Sequence, residues 1–332
     1  MNSIILDAYA HISPPKYTEF IREKYPVMYN NMLGPCVPLY DMDTRFRIMD
    51  KFPEVVQVLT IGPVPPIEHF ANKQQTVELA KMANDEMAEL CHKYREKFIT
   101  AIALLPMNNI DAALDETDRA IKELGFRGAY VHSNINGKPL DAPEFLPLWE
   151  KMSKYDLPVY IHPWRPPEFS DYATEEESKY NIAGNFGWPY ETTVAMTRII
   201  FGGILDKYPN LKIVTHHCGG MVSFYAGRIY QHYGNQSQRR NLTNITRTPL
   251  EYYKMFYNDT AIHGNTPALM LAYDFWGPDK LVFGADLPLG DYYWGSRSYR
   301  ATIDAINAME IPEEDKKKIF LDNARNLLRI PI

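Results

Sequence analysis

Cysteine is scarce in this chain. Cys36, Cys91 and Cys218 are the three present, and none stands in a C-x-x-C spacing. That excludes a disulfide framework or a cysteine-based zinc cluster as the organising element, and it suits a reducing, cytoplasmic setting. Long apolar runs are missing too. Nothing approaches the ~20 residues needed to cross a bilayer, and Met1 leads into a strand-like run without a basic leader. Positive charge is not in excess: 35 Lys and Arg stand against 41 Asp and Glu, a net charge of −6, so neither nucleic acid nor an anionic membrane is an expected partner. No glycine-rich fingerprint follows the first strand-like run, which counts against a dinucleotide-binding open sheet.

What is present is apolar and periodic. With 45% hydrophobic and 13% aromatic residues in 332, the chain can fill one large core. Strand-like runs recur at Ile4 to Ala8, Val55 to Ile61, Phe98 to Leu105, Phe126 to Val131, Leu157 to Ile161, Leu211 to Thr215, Met255 to Asn258 and Leu281 to Gly284. Helical patterns separate most of them: Gln74 to Lys93, Ile110 to Leu124, Phe145 to Tyr155, Thr192 to Tyr208, Thr266 to Tyr273 and Tyr299 to Met309, with a last helix from Glu313 to Leu328. Alternation of this kind argues for βαβ units and a parallel sheet. Eight units in one chain predict a single (β/α)8 TIM barrel over 1–332, with a doubly wound open sheet as runner-up. Two stretches, Pro14 to Pro53 and Arg165 to Tyr190, are too long for ordinary connections. They predict insertions after strands 1 and 5, lying over the barrel mouth or forming an oligomer interface.

Several strand-like runs close on residues that carry chemistry. LPVYIHPW places His162 at a strand end, where Pro163 stops the ladder. SIILDAYAH ends at His11, LKIVTHH at His216 and His217, and KLVFGADLP at Asp286. Imidazole and carboxylate are the usual ligands of a divalent metal, and strand ends hold them on rigid backbone. His11, His162, His217 and Asp286 are therefore expected to share one site. Adjacent strand residues point to opposite faces, so only one of His216 and His217 is expected there. His217, where the strand opens into Cys218-Gly219-Gly220, is preferred, with His216 left packed.

DAYAH at 7–11, IHPW at 161–164, PYETTVAMTRIIFGGILDKYPNLKIVTHHCGG at 189–220, VFGADLP at 282–288 and DNARNLL at 322–328 together resemble the amidohydrolase superfamily. The likeness is to the branch containing aminocarboxymuconate-semialdehyde decarboxylase and gamma-resorcylate decarboxylase. It implies a barrel holding one divalent metal, zinc or manganese. By position, it makes His11, His162 and Asp286 metal ligands, gives Asp286 a second role in proton transfer, and makes His217 the acid/base or water-orienting group. Tyr9 departs from the pattern, standing where the branch has His or Glu. Three readings follow: a metal held by His11, His162 and Asp286 alone; Tyr9 as a ligand or a nearby donor; or a barrel that has lost its metal.

The activity implied is non-oxidative decarboxylation of a small aromatic or unsaturated carboxylic acid. Hydrolysis or hydration of a lactone, amide or double bond is the alternative, and a metal-free barrel that only binds a ligand is the second alternative. Arg45, Arg47 and Arg165 are candidates to fork to a substrate carboxylate, Arg165 first because it follows the HPW motif. Trp164, Trp188 and Tyr190 are candidates to wall an aromatic substrate, Tyr9 to contact it, and Glu191 to orient a neighbouring group or cap a helix. A homodimer or higher homo-oligomer is expected from the resemblance.

Overall fold

Strand order follows chain order. The computed structural model describes residues 4–62, 65–234, 245–289 and 297–332; Met1 to Ser3, the head of the first run, lie outside them. β1 (Ile5–Ile12) pairs in parallel with β2 (Val55–Ile61), and β2 with β3 (Phe98–Ala101, resuming at Ala103–Leu104). The second half of β3 pairs with β4 (Ala129–His132), which pairs with β5 (Val159–His162). β5 pairs with β6 (Ile213–Thr215), and β6 with β7 (Tyr257–Asn258).

The ring closes through residues 281–287. Leu281 bridges Asn258, and the Val282 N–H donates to the Asn258 carbonyl at 2.9 Å. On the other side the Ala8 N–H donates to the Phe283 carbonyl at 2.8 Å, and the His11 N–H to the Leu287 carbonyl at 3.0 Å. This segment makes a single ladder bridge, Asn258 to Leu281, rather than the expected strand. The architecture is the expected (β/α)8 barrel with insertions after β1 and β5.

Strand parity sorts the side chains into two clusters. Tyr130, Tyr160, Val214 and Val282 pack together inside the barrel with Leu6 and Ala8, and Tyr9 joins them where β1 shifts register between Asp7 and Ala10. Their neighbours Val131, Ile161, Ile213 and Phe283 pack outward in the second cluster, as a period of two requires. The helices form the outer layer. Lys73–Lys93 begins in a capping box between Asn72 and Gln75, and Ile110–Lys122 is capped by Asn109. The helix expected over 192–208 starts earlier, as Trp188–Phe201, then breaks at Gly202-Gly203. Gly203 has φ of 75°, a conformation an L side chain resists, and Ile204–Lys207 follows as a separate turn. The final helix likewise divides, Glu313–Lys317 and Asn323–Leu328 flanking a π turn at Lys318–Asp322.

The first insertion holds helices Pro15–Lys24 and Met42–Met49, the latter capped by Asp41. Its Arg45 is fully buried and structural. The guanidinium donates to the His11 carbonyl at 2.6 Å and forks onto Gln57 Oε1 at 3.0 and 2.7 Å. Gln57 in turn donates to the Tyr299 hydroxyl, which donates to Asp7 at 2.7 Å. Arg45 therefore braces β1 rather than reaching a substrate, and Arg47 is spent on Thr44 at the surface. The second insertion runs irregularly to the π turn Ala183–Gly187, which leads straight into the Trp188 helix.

Candidate metal centre

Four strand ends meet at the C-terminal mouth of the barrel. His132, His162 and His216 lie two residues beyond the inward-facing Tyr130, Tyr160 and Val214, so parity turns them inward; His11 follows Tyr9 in the same way. Ring centroids of His11 and His162 are 5.3 Å apart, those of His162 and His216 5.0 Å, and those of His11 and His216 5.3 Å. One ligand nitrogen from each of these three histidines lies within 4.8 Å of the others, and His216, His217 and Asp286 form a second such group.

The expectation that only one of His216 and His217 reaches the mouth needs correcting. His216 is fully buried within the cluster: its Nδ1 meets Asp259 and its Nε2 stands 3.3 Å from Asp286 Oδ1. His217 reaches the mouth as well, with Nε2 3.8 Å from Asp286 Oδ2. Alternation fails because β6 ends at Thr215 and His217 adopts φ of 54°, the left-handed region, which swings its side chain back to the mouth. Asp286 is also left-handed, with φ of 58°; non-glycine residues held this way cluster at functional sites.

Nε2 of His11 and Nε2 of His162 are among the imidazole nitrogens buried without a hydrogen-bond partner. Their Nδ1 atoms are engaged, with the Ile61 carbonyl at 3.0 Å and the Pro163 carbonyl at 2.8 Å. Each Nε2 is thereby left as a bare acceptor facing the mouth. Burial alone would raise the pKa of Asp286, but His11, His216 and His217 outweigh it and hold the carboxyl well below its usual range. Burial lowers His11, and it lowers His162 further with the help of the neighbouring imidazoles. At His216 burial is overcome, first by Asp259 and then by Asp286, and the ring is raised to about 10. An anionic carboxylate beside neutral, unpartnered imidazoles is a donor set that fits a divalent metal.

The remaining candidates lie around this cluster. Trp188 packs edge-on to His162, with centroids 5.5 Å apart, and stacks on His217 at 6.1 Å and 28°. Arg165 pairs with the half-buried Glu191 at 3.5 Å and lies against Gly187, where a Cβ would come within 2.4 Å of Arg165 Cδ. Burial raises Glu191, partly offset by Arg165. The buried ring of Trp164 meets His69 edge-on at 5.5 Å rather than the histidine cluster. Tyr9 is buried with its ring stacked on His216, centroids 4.3 Å apart at 24°. Its hydroxyl has no hydrogen-bond partner.

Sequence reasoning missed three residues of the site. Asp259, in the YNDT run, orients His216. His263 sets Nε2 3.8 Å from Asp286 Oδ2 at the exposed rim. His132 is the register partner of His162, with a buried, unpartnered Nε2 and burial driving it down to about 3. The signal for His132 was available, since FRGAYVH closes on histidine like the other runs.

A family model described as Amidohydrolase matches residues 39–330. The chain belongs to the amidohydrolase family. Among relatives of this amidohydrolase, 2-amino-3-carboxymuconate-6-semialdehyde decarboxylase of Dictyostelium discoideum is 31% identical over 291 residues, 87% of this chain and 77% of the relative. A solved structure of 2,6-dihydroxybenzoate decarboxylase complexed with 2,6-dihydroxybenzoate aligns with a TM-score of 0.83 at 27% identity, covering 99% of this chain and 100% of that one. Dihydroxybenzoic acid decarboxylase from Polaromonas sp. JS666, with bound manganese and the inhibitor 2-nitroresorcinol, aligns with a TM-score of 0.80 at 26% identity, covering 98% and 97%. Among the described residues of this amidohydrolase, no helix is long and apolar enough to cross a membrane.

Proposed function

We propose that this amidohydrolase is a metal-dependent, non-oxidative decarboxylase of a small aromatic or unsaturated carboxylic acid, a carboxy-lyase. One observation carries the reading. The Nε2 atoms of His11 and His162 are buried without a partner, and that of His11 stands 3.4 Å from Asp286 Oδ1, in a chain that aligns end to end with decarboxylases of hydroxylated benzoates. His11, His162 and Asp286 would hold one divalent ion, manganese or zinc, which when bound supplies positive charge to the substrate carboxylate and an adjacent hydroxyl.

The chain's own residues do the rest. Trp188 walls one side of the ring, and Arg165 offers its guanidinium to an anionic group, with Glu191 holding it in place. Asp286 passes a proton from a neighbouring imidazole to the ring carbon that bears the carboxylate. The bond from that carbon to the carboxylate breaks, its electron pair returns to the ring, and carbon dioxide leaves. One proton enters and no electron is gained or lost, so neither an oxidant nor an organic cofactor is needed. His217, between Trp188 and Asp286, steadies the charge that develops. In this reading residues 1–332 make one barrel domain working in the cytoplasm, consistent with three free cysteines. A homodimer would cover the exposed Phe169, Tyr172, Tyr180 and Phe186 of the second insertion.

The test is carbon dioxide release from a panel of hydroxybenzoates by the metal-loaded protein, run beside a lactone and amide panel. Release from a hydroxybenzoate that stops on chelation is the expected result. Turnover confined to lactones or amides would replace this reading with hydrolysis.

A further inference from the structure

Tyr9 leaves the metal with no ligand from the position where the family resemblance expects one. We infer that the place is filled from β6 instead: His216, oriented by Asp259, is the fourth protein ligand of the metal, and Tyr9 is the ring that braces it. This rests on the metal-dependent reading above.

The spacing of the ligand atoms supports the assignment. With metal–ligand distances of about 2.0–2.2 Å, two ligands at a tetrahedral angle stand about 3.4 Å apart. Asp286 Oδ1 lies 3.4 Å from His11 Nε2 and 3.3 Å from His216 Nε2. The ligand nitrogens of His11, His162 and His216 lie within 4.8 Å of one another. Each of the three is also held in the same way. Nδ1 of His11 meets the Ile61 carbonyl, Nδ1 of His162 the Pro163 carbonyl, and Nδ1 of His216 the Asp259 carboxylate. Pinning one ring nitrogen to an oxygen is how proteins aim the other at a metal. His217 lacks this support, because its Nδ1 is buried without a partner. It belongs to proton movement rather than to ligation.

Tyr9 is arranged as a support. Its ring lies nearly parallel to the His216 ring, 4.3 Å away, and edge-on to His11 at 5.4 Å. The one atom with which it could ligate, its hydroxyl, meets no polar partner. Gly284 admits both members of the device: a Cβ there would lie 3.0 Å from Asp259 Cβ and 3.2 Å from Tyr9 Cβ. The ligand lost from β1 and the orienting carboxylate on the β7 side are thus one compensated arrangement.

Metal retention and cobalt(II) spectra of the full-length protein test this. Wild type, Tyr9→Phe, His216→Asn and Asp259→Asn are stripped with chelator, titrated with manganese or cobalt(II), and checked for folding by circular dichroism. The expected results are one ion per chain in wild type and in Tyr9→Phe at closely similar affinity, with unchanged cobalt absorption. His216→Asn should lose affinity by about 100-fold and shift the cobalt bands, and Asp259→Asn should lose about 10–100-fold. Loss of metal in Tyr9→Phe, or wild-type affinity and spectrum in His216→Asn, would overturn the inference. If His216→Asn does not fold, Asp259→Asn decides, and unchanged affinity there overturns it. A wild-type protein that takes up no ion at all would instead remove the metal-dependent reading itself, and this inference with it.

Discussion

Asp286 Oδ1 lies 3.4 Å from His11 Nε2, which joins the last segment of the barrel to its first strand at the mouth. Both groups are almost wholly buried, at 4% and 0% exposure. A carboxylate desolvated to that extent is costly unless other charges or donors compensate it. Three imidazoles do so here, and in doing so they define the site.

Replacing Asp286 by Asn keeps its shape and removes its charge and its proton. In the proposed mechanism the same atom pair both holds metal and carries the proton, so turnover should fall by at least about 10²–10⁴-fold, the range for a lost acid or base. Steady-state rates with metal content measured on the same sample check this. Near wild-type turnover at full metal loading would remove Asp286 from the chemistry.

Arg165 to Ala should act on binding. A charge-assisted hydrogen bond contributes about 1.5–3 kcal/mol, so the Michaelis constant for a carboxylated substrate should rise about 10–100-fold while kcat changes less. Gly187→Ala gives an independent handle, since its new Cβ would displace Arg165 Cδ, 2.4 Å away. An unchanged Michaelis constant in both variants would return Arg165 to a purely structural role.

Arg45 separates from Arg165 by readout. Truncation to Ala leaves the Gln57 side-chain oxygen and the His11 carbonyl buried without their donor. Each orphaned group costs about 1–3 kcal/mol, so unfolding in urea should move to clearly lower denaturant. The Michaelis constant of whatever folded protein remains should stay put. A raised constant with unaltered stability would contradict the buried-brace assignment.

Glu68 gives a pH dependence of stability. Burial raises its carboxyl from 4.5 to about 7, opposed by backbone bonds, one of them the Met107 N–H at 2.6 Å. Between those two values the folded chain holds a proton that the unfolded chain has released. Its contribution to stability is complete below 4.5 and is lost as pH rises through about 7. Glu68→Gln should therefore be more stable than wild type at pH 8, by up to about 3 kcal/mol, and should flatten this part of the profile. Chemical denaturation at several pH values measures the difference; no gain at pH 8 would sink the claim.

The barrel was legible because alternating strands and helices leave a strong periodic imprint, and all eight passes fall where the apolar runs stand. His11, His162 and Asp286 were legible as candidates because several apolar runs in the one chain close on such residues. That both His216 and His217 reach the mouth was not legible, for a definable reason. Parity says that only one of two adjacent strand residues faces inward, but not which one, and it gives no warning that His217 takes a left-handed φ and turns inward as well. Asp259 could not be found from spacing, since its partnership with His216 is a contact between neighbouring strands. Arg45 looked like a substrate ligand because sequence does not reveal that the insertion folds its side chain beneath β1.

The central claim, ring protonation with loss of carbon dioxide, is tested most directly by running the metal-loaded protein on a dihydroxybenzoate in D₂O and examining the product by NMR. The expected result is one deuterium at the carbon that carried the carboxylate, in equal amount to the carbon dioxide released. Carbon dioxide without deuterium at that carbon, or a hydrolysed product without carbon dioxide, would contradict it.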